Sequence, residues 1–334
     1  MVIKNKLPRK DYRWMFLLIT IMILTSAFTL LDAFVIPKSY VVVSQESIEA
    51  LNSNTQPEPA GTENIDQALL NSVEKIQTDI ENSLLEEEKT EVIITDHSYT
   101  DENISINIEV FDENGIVFYV ADIQISDVSY FKTAFANDSY GKNITQTTSA
   151  MAQANNAIFA INGDYYGFRD TGLIIRNGVL YRDISSKTSE DYSLTVDSVG
   201  SLEIVDTNEV DGSSLIEAGI VQSFTFGPTL VINGQVFATQ DTSVSQKANP
   251  RTAIGQISPL HYIFIVVDGR SDESLGMTLT QLANEFVKRG VTVAYNLDGG
   301  GSAAMWFNGS LINNPSDGHY YGERNISDII YIGY

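Results

Sequence analysis

The sequence has 334 residues, of which 43% are hydrophobic and 19% charged, a composition typical of a folded protein rather than a disordered one. Acidic residues outnumber basic ones by 43 to 20, which argues against nucleic acid as a partner, because phosphate backbones are bound by basic surfaces. The absence of cysteine excludes disulfides, cysteine-ligated zinc and thiol nucleophiles, and three histidines leave little for a histidine-rich metal site.

The N-terminus combines a basic segment, residues 1–13, with an uncharged apolar run at residues 14–31. A helix of that length spans about 27 Å, close to the roughly 30 Å of a bilayer's hydrocarbon core. We therefore predict a transmembrane signal-anchor over residues 14–34, with the N-terminus in the cytoplasm and the rest of the chain outside it. A cleaved signal peptide is the alternative, because small residues lie near the end of the run.

Residues 35–91 are predicted to form an acidic linker and a helical stalk. Apolar residues recur at steps of three and four between Ile65 and Leu84, which predicts an amphipathic helix. A solvated spacer helix and a short coiled coil that weakly pairs two chains both fit this stripe, although the like charges of Glu86–Glu88 disfavour pairing. The folded domain then begins at residue 92.

Residues 92–334 alternate apolar and polar side chains as strands do. Asn-Gly pairs between such runs predict tight hairpins, because both residues tolerate positive φ. There are four: Asn114–Gly115, Asn177–Gly178, Asn233–Gly234 and Asn308–Gly309. One helix is predicted within residues 148–157. A second, from its N-cap Thr278 to a stop at Gly290, lies between two apolar strands and predicts a βαβ crossover. The predicted fold is α+β, with a mixed sheet and this crossover near the C-terminus.

Polar residues follow three apolar segments where strands should end. Asp268 and Asp298 would end parallel strands, so we expect both carboxylates at one sheet edge. The glycines after Asp298 predict close approach of the backbone to an anion or a sugar. Each segment alone also fits an ordinary turn. The residues concerned are Asn162, Gly163 and Asp164; Asp268 and Arg270; and Asn296, Asp298, Gly299, Gly300, Gly301 and Ser302.

Arginines beside Gly, Asn and Glu add a second signal, because guanidinium groups bind phosphate or carboxylate in a two-pronged geometry. Arg176, Arg251 and Arg324 have such neighbours, although Glu323 and Arg324 could also form a structural salt bridge. The sequence has no P-loop, no dinucleotide-binding glycine motif and no nucleophile elbow. Nucleotide-dependent transfer and the common serine-hydrolase layout are therefore unsupported, and a peptidase would lack a recognisable nucleophile and base.

Six segments, in chain order, resemble the phosphodiester glycosidase family: AINGDYYGF, NPRTAIGQ, IVVDGR, NLDGGGSAAMWFNG, NNPSDG and GERNISDIIYI. The resemblance runs from about residue 100 to the C-terminus, and NLDGGGS is its most specific part. It implies hydrolysis of a sugar-1-phosphodiester, of the N-acetylglucosamine-1-phosphodiester type, in surface glycans or exopolysaccharide. Members often have Gly and Phe where this chain has Asp164, Tyr165 and Tyr166, which puts a catalytic role for Asp164 in doubt.

The resemblance and the motifs together suggest the following roles. Asp298, Glu323 and Asp268 are the candidate catalytic residues: Asp298 and Glu323 as acid, base or nucleophile, and Asp268 with Asn162 positioning sugar hydroxyls. Arg251 and Arg324 would bind the phosphate. Substrate binding is assigned to Asn162, Gly163, Asp164, Arg176, Arg251, Arg270, Asn296, Gly299, Gly300, Gly301, Ser302 and Arg324. No cofactor is predicted, since the acidic loop at 268–273 lacks a Ca²⁺-binding spacing.

The predicted protein is a membrane-anchored, extracytoplasmic hydrolase whose partners are a phosphorylated glycan and the membrane. A non-catalytic glycan-binding or wall-interaction module on the same fold is the alternative. The anchored stalk and the variation at residues 164–166 favour that module, and hydrolysis of a sugar-1-phosphodiester would distinguish the two.

Overall fold

A computed structural model describes residues 92–187, 191–237 and 246–334, residues 37–39, and six positions between 22 and 29. The predicted signal-anchor and stalk lie almost entirely outside these residues, so both stay predictions, as do the domain boundaries. In the parts of the chain that the structure describes, no helix is long and apolar enough to cross a membrane.

The described part of residues 92–334 is mostly β, with three short α-helices. The strands are β1 (Lys38–Ser39), β2 (Ile93–Ile94), β3 (Ser98–Thr100), β4 (Ile104–Glu113), β5 (Ile116–Ile125), β6 (Phe131–Phe135), β7 (Gly141–Lys142), β8 (Phe159–Asn162), β9 (Gly172–Arg176), β10 (Val179–Ile184), β11 (Tyr192–Asp197), β12 (Leu202–Asp206), β13 (Ile220–Phe224), β14 (Thr229–Ile232), β15 (Gln235–Val236), β16 (Arg251–Ser258), β17 (His261–Val267), β18 (Val293–Asn296), β19 (Met305–Phe307), β20 (Ser310–Leu311) and β21 (Asp328–Ile332). The helices are α1 (Thr148–Ala154), α2 (Gly212–Glu217) and α3 (Leu279–Lys288).

The largest sheet has nine strands in the order β15-β14-β18-β16-β17-β5-β4-β3-β2. The predicted crossover is present as β17, α3 and β18, and the two strands run parallel. They are not neighbours, however, because β16 lies between them and pairs antiparallel with both. The prediction of a mixed sheet is therefore wrong: every strand pairing among the described residues is antiparallel. The strand–helix–strand pattern in the sequence does not indicate that another strand, β16, lies between β17 and β18.

A five-stranded sheet, β20-β19-β8-β21-β6, packs on the inner face of the large sheet. Side chains alternate along the strands, so β17 places Phe264 in the core between the sheets and Ile265 against α3. Likewise β21 places Ile330 in the inner core and Ile329 against α1. The two sheets thus form the inner layers, covered on the outside by α3 and α1. Strands buried on both faces explain the continuous apolar runs in the sequence.

All four Asn-Gly hairpins are confirmed. Each pair joins two adjacent antiparallel strands and leaves a two-residue turn: β4–β5, β9–β10, β14–β15 and β19–β20. Both residues of every pair have positive φ, for example 54° at Asn114 and 72° at Gly115. This backbone follows the right-handed twist of the flanking strands, which is why asparagine and glycine predict it.

The two predicted helices are also present. Thr278 caps α3 through its hydroxyl, which accepts the Gln281 N–H, while the Gln281 side chain accepts the Thr278 N–H. The helix buries Leu282 and Phe286 against the large sheet and turns away at Gly290, where φ is +75°. Helix α1 ends at Ala154, three residues before the predicted limit.

Candidate active site

The strand order brings three polar strand ends together at one edge of the large sheet. Asp268 follows β17 and Asp298 lies two residues beyond β18, while β16, which runs the other way between them, begins there with Arg251. The Leu297 N–H donates to Thr252 O at 2.8 Å and fixes the chain leaving β18. The expectation of one shared edge therefore holds, with Arg251 between the two strand ends.

A cavity of about 170 Å³ borders this edge at Asp298. Its lining comes from three segments, residues 162–168, 298–302 and 324–328. The volume is below the roughly 300–1,000 Å³ of sites for drug-sized ligands, and so suits one small group such as a single sugar ring. Asp268 and Glu323, the other two candidate catalytic residues, are not among its lining residues.

Two hydrogen bonds fix the position of the Asp298 main chain. Its N–H donates to Gly163 O at 3.3 Å, and its carbonyl accepts the Asn162 amide at 2.7 Å. Burial raises the pKa of its carboxyl group. The adjacent Ser302 hydroxyl, the Gly299 N–H and the charge of Arg324 oppose this rise. The Asp298 carboxyl group is therefore poorly solvated, and the charge of Arg324 influences whether it is protonated. Perturbed pKa values of this kind are typical of residues that act as acids or bases.

The three glycines after Asp298 make room for specific neighbours. A Cβ on Gly299 would lie 2.7 Å from Pro250 O. On Gly300, whose φ is +60°, it would lie 3.0 Å from Arg270 Nη1, and on Gly301 it would lie 2.9 Å from Arg324 Nη2. The turn thus lets one carbonyl and two guanidinium groups pack directly on the backbone. Glycine suits these positions because a side chain there would crowd or displace those groups.

Arg324 borders the cavity and makes no ion pair or hydrogen bond with any residue that the structure describes. Two carboxyl groups, those of Asp298 and Asp317, lie near enough for its charge to lower their pKa values. The side chain is exposed, so its guanidinium group is available to an anion that enters beside Asp298.

Aromatic rings form one wall of the cavity. Tyr165 and Phe168 stack at 4.7 Å between ring centroids, and each remains more than a third exposed. Behind them, the Arg169 guanidinium lies 4.7 Å from the Phe226 ring centroid. Exposed stacked rings beside a polar cavity offer an apolar platform to the face of a sugar ring.

Unsatisfied polar atoms also converge on the cavity. Among the described residues, seven buried side-chain atoms lack a hydrogen-bond partner of good geometry, and three of these belong to cavity-lining residues: Ser302 Oγ, Ser327 Oγ and Asp328 Oδ1. Buried polar atoms are normally paired with protein or water, so these three can hydrogen-bond a molecule that occupies the cavity.

Beneath the cavity, Arg176 is fully buried between two carboxylates. Its Nη2 lies 3.0 Å from Asp164 Oδ1 and 2.8 Å from Asp328 Oδ2. Burial raises the pKa of Asp328, against the lowering effect of Arg176. The structure thus places Arg176 and Asp164 below the lining, as structural groups that hold Asp328. The variation at Asp164 accordingly changes a buried ion pair and removes no cavity group.

Four other candidate residues form hydrogen bonds with protein groups, although Asn296 Oδ1 has no partner among the described residues. Asp268 accepts hydrogen bonds from Asn313, from the Asn314 N–H and from Tyr119. Burial raises its pKa. The Glu323 carboxylate accepts the Ser149 N–H at 2.8 Å and so binds the start of α1 instead of forming a salt bridge with Arg324. The Asn162 amide bridges Thr252 and Asp298, and the Asn296 amide donates to Gly227 O. These side chains position backbone around the cavity.

A sequence model of the phosphodiester glycosidase family matches residues 155–333. That range is more than half of the chain and includes all three segments that line the cavity. The chain belongs to the phosphodiester glycosidase family.

Its relatives are mostly longer proteins. The SPbeta prophage-derived uncharacterized protein YomE of Bacillus subtilis is 35% identical over 203 residues, which are 58% of this chain and 31% of that protein. Human N-acetylglucosamine-1-phosphodiester alpha-N-acetylglucosaminidase is 37% identical over 83 residues, 24% of this chain and 16% of that protein. The chain thus matches less than a third of the length of either relative.

The fold is also found in a solved structure. The zebrafish N-acetylglucosamine-1-phosphodiester alpha-N-acetylglucosaminidase catalytic domain, auto-inhibited by its pro-peptide, superposes with a TM-score of 0.58. The identity is 21%, over 74% of this chain and 88% of that chain, which shows similarity of fold.

Sequence reasoning missed four residues at or beside this family member's cavity. Tyr165 and Phe168 lie one and four residues after Asp164, and aromatic residues in a turn were the available signal. Arg169 lies next to them and lowers the pKa of Asp298. Asp328 opens the otherwise apolar strand β21, and a carboxylate in a strand of that kind could have marked it.

Proposed function

We propose that the chain is a glycoside hydrolase that cleaves the bond between C1 of a sugar and the oxygen of a phosphodiester. The observation that carries this proposal is Asp298, a carboxyl group of raised pKa that borders a sugar-sized cavity beside the unpaired guanidinium of Arg324. Membership of the phosphodiester glycosidase family supports the reaction class.

The reaction would use these groups as follows. The sugar ring stacks on Tyr165 and Phe168, and its phosphate lies against Arg324. Asp298 either attacks C1 or deprotonates the water that attacks it. The C1–O bond breaks and its oxygen stays with the phosphate, so water adds overall to give free sugar and a phosphate monoester. Glycosidases usually need a second carboxyl group as acid. Here the leaving phosphate is already anionic, so electrostatic stabilisation by Arg324 replaces much of that requirement.

The substrate would be of the N-acetylglucosamine-1-phosphodiester type. Support comes from the name of the human relative, which covers only part of this chain's length. The chain would act on a phosphorylated glycan outside the cytoplasm, anchored through residues 14–34, and the support for that location is the basic flank before the apolar run. Protease added to intact cells should then remove the C-terminal domain, whereas protection until lysis would contradict this location.

Hydrolysis in ¹⁸O-labelled water tests the reaction. Methyl N-acetylglucosamine-1-phosphodiester should yield free sugar with the label at C1 and unlabelled methyl phosphate. A label in the phosphate product would show P–O cleavage and overturn the glycosidase assignment. Binding of the diester without any release of sugar would instead favour the glycan-binding module.

A further inference from the structure

Two arginines, Arg251 and Arg270, lie next to the glycine turn, residues 299–301. Arg251 is 8% exposed, yet its described partners are uncharged: Nε donates to Met277 O at 3.1 Å and Nη2 to Lys247 O at 2.9 Å. Nη1 has no partner among the described residues. Burial and the neighbouring charge of Arg270 lower the pKa of Arg251 to about 10. A desolvated cation beside another cation is unfavourable unless an anion joins it.

Arg270 is exposed and also has no counter-ion among the described residues. Its Nε and Nη2 both donate to Asn249 Oδ1, at 3.2 and 3.1 Å, and no described carboxylate forms an ion pair with it. The buried Arg176, by contrast, lies between two carboxylates. Arg169 and Arg182 also form no ion pair with a described residue, but Arg251 and Arg270 differ from them because the charge of one acts on the other. An anion bound between these two arginines would neutralise both charges.

Three of the arginines that form no ion pair with a described residue lie in order along the glycine turn. Arg324 packs on Gly301 and borders the cavity, Arg270 packs on Gly300, and Arg251 follows Pro250, whose carbonyl packs on Gly299. The proposed reaction places one phosphate at Arg324. The cations at Arg270 and Arg251 lie further along the same turn, where a single phosphate at Arg324 leaves them without an anion.

We propose that Arg251 and Arg270 form a second anion subsite, and that the preferred substrate is a sugar-1-phosphodiester whose leaving group carries a further phosphate. The inference rests on the proposed function. A pyrophosphate-linked nucleotide and the next phosphodiester of a repeating sugar-phosphate chain share this chemistry. Two charge-assisted contacts to that phosphate would strengthen binding of such substrates over those with one phosphate.

Kinetics on paired substrates test the subsite. UDP-N-acetylglucosamine places the second phosphate next to the first, a synthetic dimer of N-acetylglucosamine-1-phosphate places it one sugar away, and methyl N-acetylglucosamine-1-phosphodiester lacks it. We expect kcat/KM to be higher for at least one of the two substrates with a second phosphate than for the methyl diester, and the selectivity ratio is the first kcat/KM divided by the second. Arg270→Gln should lower that ratio by about tenfold, the loss of one charge-assisted hydrogen bond. Arg289→Gln, which removes an arginine paired with Glu285, should leave the ratio unchanged.

Calorimetry with inorganic pyrophosphate and methyl phosphate on the full chain separates the subsite from the reaction. Pyrophosphate should bind more tightly than methyl phosphate, and Arg251→Met and Arg270→Gln should each abolish the difference. If pyrophosphate shows this pattern while no diester is hydrolysed, the subsite stands and the proposed function falls. Equal binding of the two anions, or equal losses on all substrates in Arg270→Gln, would overturn the subsite.

Asp241→Asn provides a further control. Asp241 is the one carboxylate in residues 238–245, which lie outside the described residues. We expect its removal to leave pyrophosphate affinity unchanged. A large gain in affinity would mean that this carboxylate already neutralises Arg251, and would contradict the proposal.

Discussion

Arginine has two different roles in this molecule, and its environment decides which. Arg176 is buried between Asp164 and Asp328, so its charge is compensated within the fold. Arg324 is exposed at the cavity with no ion pair to a described residue. Substitution of the first should therefore change stability, whereas substitution of the second should change chemistry.

Arg176→Met should destabilise the fold by about 3–5 kcal/mol, because it leaves two buried carboxyl groups without their cation. Arg176 lowers the pKa of Asp328, so its removal should raise that pKa further. The loss of stability should then be largest at neutral pH and smaller on acidification, where Asp328 becomes neutral. Urea unfolding at pH 5 and pH 7 measures this. The matched control is Lys288→Met, which breaks an exposed pair worth at most about 1 kcal/mol. Equal, small effects of both variants would contradict the structural role.

Arg324→Met should move the pH dependence of hydrolysis. The Arg324 charge lowers the pKa of Asp298, so its removal should raise that pKa. If the ionised carboxylate attacks C1 or accepts the proton, the acidic limb of kcat/KM must then shift to higher pH. The thermal midpoint should change little, because the side chain is exposed. A lower rate with an unshifted acidic limb would separate Arg324 from the titration of Asp298.

At the scale of elements, the glycine turn joins strand β18 to the cavity. Its first and third glycines differ in what they touch. Gly299 faces a backbone carbonyl, which cannot move without β16, while Gly301 faces the end of the Arg324 side chain and the Cβ of Asp317. The same substitution should therefore have different consequences at the two positions.

Gly299→Ala should cost about 1–3 kcal/mol of stability, as overpacking against fixed backbone does. Gly301→Ala should cost less stability than Gly299→Ala, because the Arg324 side chain can move aside and the Asp317 Cβ, 3.0 Å from the added methyl group, needs only a small shift. The variant should displace Arg324 and raise KM for the diester. Parallel thermal unfolding and steady-state kinetics compare the two variants. If Gly301→Ala is the less stable protein, the turn is not organised by these contacts.

The sequence predicted elements whose signal is local. Asn-Gly turns and the capped helix α3 depend on the φ preferences and hydrogen bonds of neighbouring residues, so all of them were found. β16 forms a hairpin with the next strand, β17, but its pairing with β18 joins segments that are distant in the chain, and no local pattern encodes that pairing. The site followed the same rule: Asp298 and the glycines were visible in one motif. The hydrogen bonds that Glu323 accepts from the start of α1 and that Asp268 accepts from Asn313 are tertiary contacts, which no single motif reveals.

On the scale of the whole molecule, the family match begins at residue 155, but the folded unit begins earlier. Strands β2 to β5 form one end of the nine-stranded sheet, and β5 pairs along the whole of β17. Ile104, Ile106 and Ile123 belong to the main core. A domain cut at the family boundary would expose this core.

A fragment of residues 92–334 should fold cooperatively and remain soluble, although it lacks the two-residue pairing of β1 with β7. A fragment of residues 155–334 should be insoluble or molten, because β17 loses its pairing with β5 and the core loses the side chains of β4 and β5. Near-ultraviolet circular dichroism and urea unfolding distinguish the two. Cooperative unfolding of the shorter fragment would place the domain boundary at residue 155.

Asp298→Asn tests the central claim most directly. The variant keeps the size of the side chain but removes the charge and the capacity to attack C1 or accept its proton. We expect kcat for methyl N-acetylglucosamine-1-phosphodiester to fall by about 10²–10⁴-fold, the usual contribution of a positioned acid–base group, with a thermal midpoint close to wild type. Hydrolysis at a near wild-type rate by a folded Asp298→Asn protein would contradict the account.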